Sequence, residues 1–173
     1  IDQKEVLGGS TGRNGVNLPK SRLTTGRREA SEDIIGEWDG ATAFQEAILT
    51  SDTCTKSCSA KIKTSLGEVT IGGVVKGAGM IEPSMATMLA FITTDIGATN
   101  QELKKILKDA VEQSFNRITI DGDMSTNDSV LMFANGASGI ALSNESEKVQ
   151  RNFSEALQAI CSCLAKKCVT DGE

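Results

Sequence analysis

Residues 76–95 read Lys76-Gly-Ala-Gly-Met-Ile-Glu-Pro-Ser-Met-Ala-Thr-Met-Leu-Ala-Phe-Ile-Thr-Thr-Asp95. From Met88 to Thr93 the residues are nearly all apolar, which predicts a buried strand. The part before it is a non-repetitive loop that holds Gly77, Gly79 and Pro83, one of only 2 prolines in the chain. Thr87 therefore stands at the mouth of the strand, behind the small residues Ser84 and Ala86. Two readings of it are open. A threonine at a strand start is a β-former in its place. Alternatively, a tightly bent peptide beside a hydroxyl permits an N→O acyl shift at Ala86-Thr87. Hydrolysis of that ester leaves Thr87 as a new chain start. Its α-amine, with a pKa of roughly 7.7–8.0, is a base for its own hydroxyl.

The composition gives that second reading weight. The chain has 173 residues and no histidine and no tyrosine. Ser-His-Asp and Cys-His sites built from this chain are thereby excluded, as are His-ligated zinc and haem. Carboxylates, lysine, cysteine and a free α-amine remain as general bases. A hydrophobic content of 39% with 24% charged residues is that of a globular domain. The balance of 18 basic against 23 acidic residues, net −5, argues against nucleic acid as a partner. No apolar run approaches the ~20 residues that span a bilayer, so no membrane partner is expected. The chain opens on Ile1 without a visible signal segment and closes on Asp171-Gly-Glu173, and both ends are expected to be cuts in a longer protein. The 5 cysteines, Cys54, Cys58, Cys161, Cys163 and Cys168, include no C-x-x-C pair. They predict reduced structural thiols and no metal site.

Outward from the central stretch, helices and strands alternate. A helix is expected from Pro19 to residue 32, and another from Trp38 to Leu49, where Trp38, Ala41, Phe44, Ala47 and Ile48 recur at helical spacing. Residues 57–63 and 67–75 form a predicted hairpin around Leu66-Gly67. Thr99 with Glu102 makes a capping box, and Leu103, Ile106, Leu107, Ala110, Val111 and Phe115 form one stripe behind it. Short strands are expected at 117–120 and 128–134, with a turn at Asp121-Gly122-Asp123 between them. A last helix is expected from about Glu145 to Val169, capped near Asn144, with Val149, Phe153, Leu157, Ile160, Leu164 and Cys168 on its buried face. This alternation predicts a mixed α/β (α+β) fold, layered around one core.

Taken singly, several residues read blandly. Lys76 is a strand-end lysine of the solvated kind, and Gly77 and Gly79 are turn residues. Asp121, Asp123 and Asp128 lack the glycine and glutamate of a calcium loop, and they read as turn and surface carboxylates. Asn127-Asp-Ser129, Asn144-Glu-Ser146 and Asn152-Phe-Ser154 fit the glycosylation pattern but carry no function in an intracellular protein.

The stretch 76–95 closely resembles the self-cleaving segment of the ornithine acetyltransferases, the bifunctional glutamate N-acetyltransferases of arginine biosynthesis. The likeness extends to Ser10-Thr-Gly12, Leu49-Thr-Ser-Asp-Thr53, Ser114-Phe-Asn-Arg-Ile-Thr-Ile-Asp-Gly-Asp-Met-Ser-Thr-Asn-Asp128, Ala134-Asn-Gly136 and Asp171-Gly-Glu173. The chain departs from the usual pattern at Gly8-Gly9, Arg13, Ser51 and Met124.

The resemblance implies an N-terminal-nucleophile-like layered sandwich of β-sheets flanked by helices. It implies cleavage between Ala86 and Thr87, so that residues 1–86 are the C-terminal part of an α chain and 87–173 the N-terminal part of a β chain. Thr87 matches the nucleophile. Thr11 and Gly12 match the oxyanion hole, where a preorganised donor is worth ~10²–10³ in rate. Thr50, Lys76, Thr87 and Glu173 match substrate-binding positions, Lys76 suiting a carboxylate and Glu173 an amine. The implied reaction moves acetyl from N²-acetylornithine to glutamate with no cofactor, and some members also take acetyl-CoA as donor. The implied partners are amino-acid substrates and the chain's own halves, paired as a heterotetramer. The implied location is the cytoplasm, or a mitochondrion or plastid in a eukaryote. Two rival readings of the same residues are a self-processing amidase or aminopeptidase of related fold and an uncleaved, non-catalytic fragment.

Overall fold

Gly67, at φ +145°, closes the predicted hairpin, where Thr64 N–H donates to Gly67 O at 2.7 Å in the computed structural model. The structure describes residues 7–9, 16–34, 36–79, 88–123 and 125–172. Strand β1 (Lys56–Lys63) runs antiparallel to β2 (Glu68–Lys76), which carries β3 (Leu89–Thr94) antiparallel on its other edge. Strand β4 (Ser129–Ala134) lies parallel to β3, so the order is β1-β2-β3-β4. Before the sheet come α1 (Lys20–Glu32) and α2 (Trp38–Ala47). Between β3 and β4 lies α3 (Asn100–Glu112), and α4 (Glu147–Thr170) follows β4. This is the expected mixed α/β layering, with one sheet among the described residues.

The capping box at Thr99 and Glu102 is formed in both directions. It satisfies amide groups that the first turn of α3 would otherwise leave unpaired. Alternation along the strands then sorts the side chains. Ile62, Val69, Ile71, Val75, Ala90 and Ile92 point to one face and meet Phe153, Leu157, Ile160 and Leu164 of α4 in a single buried core. Gly73 lies on that face. A Cβ there would come within 2.9 Å of Leu164 Cδ1 and 3.1 Å of Ile160 Cγ2. The missing side chain lets α4 approach the sheet. On the opposite face α2 leans on the sheet through Phe44 and Phe91, edge to face at 5.3 Å. An open cavity of about 610 Å³ lies beside them, between Trp38, Gly72, Val74 and Phe133.

Three expectations are corrected. Residues 117–120 form no named strand: Phe115–Arg117 is a 3₁₀ turn, and Ile120 packs instead against Gly172 beyond α4. The cause is local, since Ser114 Oγ bonds back to Ala110 O at 2.6 Å and the buried Phe115 wraps the chain around the end of α3. The cap of α4 is Ser146, whose side chain accepts from Val149 N–H, while Asn144 ends a separate 3₁₀ turn, Leu142–Asn144. The thiols are not all reduced: Cys58 and Cys163 form a disulfide that ties β1 to α4 across 105 residues of sequence. Cys58 faces the helix layer and α4 lies over β1, a meeting that the sequence spacing hides. Cys161 and Cys168 are buried free thiols as expected, their pKa pushed up to about 12 by burial, and Cys54 is exposed. No described helix is long and apolar enough to cross a membrane, and no metal-binding cluster occurs among the described residues.

Candidate active site

The sheet's connectivity brings four chain segments to one end. Lys76 closes β2 opposite Leu89, which opens β3, and Leu89 lies beside Ser129, which opens β4. Lys56 opens β1 opposite Val75. The start of β3 is two residues past Thr87 in sequence, and the Ala86-Thr87 junction itself lies outside the described residues.

Lys76 is only 2% exposed, which corrects its reading as a solvated lysine. Its ammonium donates to Thr50 Oγ1 at 2.9 Å. Burial lowers its pKa below the usual lysine value, although Asp52 and Asp128 attract the charge. Among the described residues its hydrogen-bond partner is this one hydroxyl, and an ammonium carries three donors, the group that a carboxylate ligand requires.

A second buried lysine organises the floor. Lys56 Nζ lies 2.6 Å from Asp52 Oδ1 and 2.5 Å from Asp171 Oδ2. Asp52 Oδ1 also accepts from Gly77 N–H at 2.5 Å, and its Oδ2 accepts from Thr50 N–H at 3.2 Å. Asp171 accepts from both the amide and the hydroxyl of Thr53. Burial works against ionising Asp52, but Lys56 and the two amides outweigh it and hold its carboxyl below the ordinary range. Lys56 and Thr53 hold Asp171 at about 2. Burial opposes the charge on Lys56 as well, yet its two carboxylates raise its pKa. Asp171 also sits at the C-terminal end of α4, where a negative charge is disfavoured by the helix dipole and is offset here by Lys56. The network joins the loop bearing Thr50, the end of β2 bearing Lys76 and the end of α4 that leads to Glu173.

Asp128 completes the rim. Its Oδ1 accepts from Met88 N–H at 2.6 Å, and Ser129 N–H donates to Met88 O at 3.0 Å. Asp128 is therefore not the surface carboxylate expected. Burial pushes it up to about 6, against the Met88 amide and the charge of Lys76. Asp121 and Asp123 are exposed turn residues, as expected.

Of the residues singled out in the sequence, Thr50 and Lys76 are brought together. Thr11, Gly12, Ala86, Thr87 and Glu173 lie outside the described residues. Sequence reading missed Asp52, Lys56, Asp128 and Asp171 as members of this site. Three of them fall inside stretches that carry the resemblance, but Lys56 carries no local signal, because its partners are 4 and 115 residues away.

These features define a layered α/β protein with a lysine-lined polar site at one sheet end. The family model of the ArgJ family matches residues 1–173. The chain is 44% identical over 170 residues to the arginine biosynthesis bifunctional protein ArgJ of Symbiobacterium thermophilum, covering 98% of this chain and 42% of that protein. It is 43% identical over 173 residues to the protein of the same name from Thermotoga neapolitana, covering 100% of this chain and 43% of the relative. Among solved structures it is similar to the PH0078 protein from Pyrococcus horikoshii OT3, with a TM-score of 0.45 and 14% identity over 69% of this chain and 40% of that one. The chain belongs to the ArgJ family. It spans less than half the length of the curated relatives it matches.

Proposed function

We propose that the protein carrying this chain transfers an acetyl group from N²-acetylornithine to glutamate through an acetyl-Thr87 intermediate. The observation that supports this most is the buried Lys76–Thr50 pair at the sheet end where β3 begins, two residues past Thr87 in sequence. Lys76 would bind a substrate carboxylate, a group that both amino acids carry. In this reading the chain first cleaves itself after Ala86, giving the halves 1–86 and 87–173. The freed α-amine of Thr87 takes the proton of its own hydroxyl, and Oγ attacks the acetyl carbonyl. The amide C–N bond breaks, and ornithine leaves with that proton on its amine. Glutamate's neutral amine then attacks the ester, the C–O bond breaks, and the proton returns to Oγ. Thr11 and Gly12 stabilise the negative oxygen in both steps, and Glu173 receives the substrate's amine. Two half-reactions on one hydroxyl predict ping-pong kinetics.

No resident cofactor is needed for this chemistry. Acetyl-CoA is a second donor of the same acyl group, and we assign the assembled halves to a cytoplasmic heterotetramer. The test uses the complete open reading frame that contains these residues. Intact mass should show a break at Ala86/Thr87, and with acetyl-CoA left out N-acetylglutamate should form only when acetylornithine and glutamate are both present. Thr87→Ala should abolish cleavage and transfer together. Acetate released regardless of glutamate would favour the amidase instead, and an unbroken chain without transfer would favour the non-catalytic reading.

A further inference from the structure

We propose that Asp128 is a positioning residue of the acyl-transfer site: its carboxylate fixes the backbone of Met88, directly after the junction, and presents a negative charge toward Lys76. The inference rests on the acetyl-transfer reading above.

Met88 is held at both backbone groups by consecutive residues 40 and 41 positions away. Its N–H donates to Asp128 Oδ1 at 2.6 Å, and its C=O accepts from Ser129 N–H at 3.0 Å. Parallel pairing of β3 and β4 begins at Leu89 and Ser129. The Asp128 bond thus extends the restraint one residue beyond the ladder, toward Thr87. Met88 is itself 5% exposed, so its side chain is fixed in the core while its amide is fixed by the carboxylate. A charge-assisted bond is roughly twice as strong as a neutral one, and its short length here fits that class.

A turn or capping role alone does not require a charge, because an asparagine oxygen also accepts an amide hydrogen, in a weaker neutral bond. The charge has a second consequence. Among the described residues Lys76 is attracted by two carboxylates, Asp52 and Asp128, and repelled by Lys56. Asp52 is already engaged by Lys56, Gly77 and Thr50, whereas among the described residues Asp128 meets the Met88 amide and, through its charge, Lys76. Protonating Asp128, at about 6, would weaken the hold on residue 88 and remove one of the two charges attracting Lys76.

The experiment compares the wild type with Asp128→Asn and Asp128→Glu in the complete open reading frame, reading cleavage by intact mass, steady-state transfer against pH and thermal unfolding. Asn keeps an acceptor oxygen while removing the charge, and thermal unfolding checks that the fold is kept. Asp128→Asn should lower kcat by roughly tenfold, the order expected when a hydrogen bond to a charged group is replaced by a neutral one. KM for acetylornithine should stay within about threefold, as for an interaction realised beyond ground-state binding. Wild-type transfer should fall as pH drops through about 6, Asp128→Asn should lack this acid limb, and Asp128→Glu should restore part of the rate. Wild-type transfer with an unchanged Asp128→Asn rate and acid limb overturns the role of Asp128 alone. So does a rate loss matched by a lowered melting temperature and not rescued by Glu. Absence of transfer in the wild type overturns the acetyl-transfer reading itself and this role with it.

Discussion

Lys56 and Asp171 are 115 residues apart in sequence, and their charged atoms lie 2.5 Å apart at the base of the candidate site. The pair joins the first residue of β1 to the C-cap of α4, and Asp52 shares the same ammonium. The lysine and aspartate side chains are almost wholly removed from water, with 0%, 0% and 5% exposed for Lys56, Asp52 and Asp171. Each charge is therefore tolerable only while the others remain.

Removing the cation should be costly. Lys56→Ala leaves two buried carboxylates facing each other with amide and hydroxyl donors but without their shared cation, and losses of about 3–5 kcal/mol are typical for breaking a buried pair from one side. Denaturant unfolding monitored by circular dichroism should show that drop. The double variant Lys56→Met/Asp52→Asn should recover part of it, because fewer charges are then left unpaired.

Lys76 should act on binding before chemistry. Lys76→Met keeps the buried stem and deletes the charge. Loss of a charged hydrogen bond to substrate corresponds to roughly 10- to 150-fold in affinity, so KM for acetylornithine should rise by that order with a smaller change in kcat. Thr50→Val should raise KM less, since it removes only the hydroxyl that orients the ammonium. Steady-state kinetics separates these outcomes, and a fall in kcat alone for Lys76→Met would assign the lysine to the chemical step.

The pH dependence of stability has two limbs of opposite sign. Asp171 is held at about 2 in the fold, below the ordinary aspartate value of 3.8. It contributes stability that is present above pH 3.8 and is lost as pH falls toward 2. Asp128 is raised to about 6, so its contribution is full below 3.8 and is lost as pH rises through 6. Melting temperature should therefore rise on acidification from neutral pH to about 5 and fall again below about 4. In Asp128→Asn the neutral-side slope should flatten while the acid-side loss persists.

The cysteines can be counted directly. With Cys58 and Cys163 joined, thiol titration of the denatured, unreduced protein should find Cys54, Cys161 and Cys168 alone. A count of all 5 cysteines would remove the cross-link. Cys163→Ser should lower stability by about 2–4 kcal/mol, the usual range for losing a disulfide. In the native protein only Cys54 should react quickly, because the other two thiols are buried and their thiolates disfavoured.

The local elements were legible because their signals are local. Alternating and continuous apolar runs fix the hairpin and β3, Thr99 and Glu102 cap α3 within one turn, and the stripe from Phe153 to Cys168 defines the buried side of α4. The resemblance through residues 76–95 was equally a property of the sequence, and so was the absence of histidine, which directs attention to Thr87. What the tertiary structure alone decided is which distant polar residues meet. Lys56 finds Asp171, Lys76 is withdrawn from solvent onto Thr50, Asp128 reaches the amide of Met88 across 40 residues, and Cys58 reaches Cys163. Burial and pairing of a charge depend on neighbours supplied by other strands and helices, and one-dimensional spacing carries no record of them.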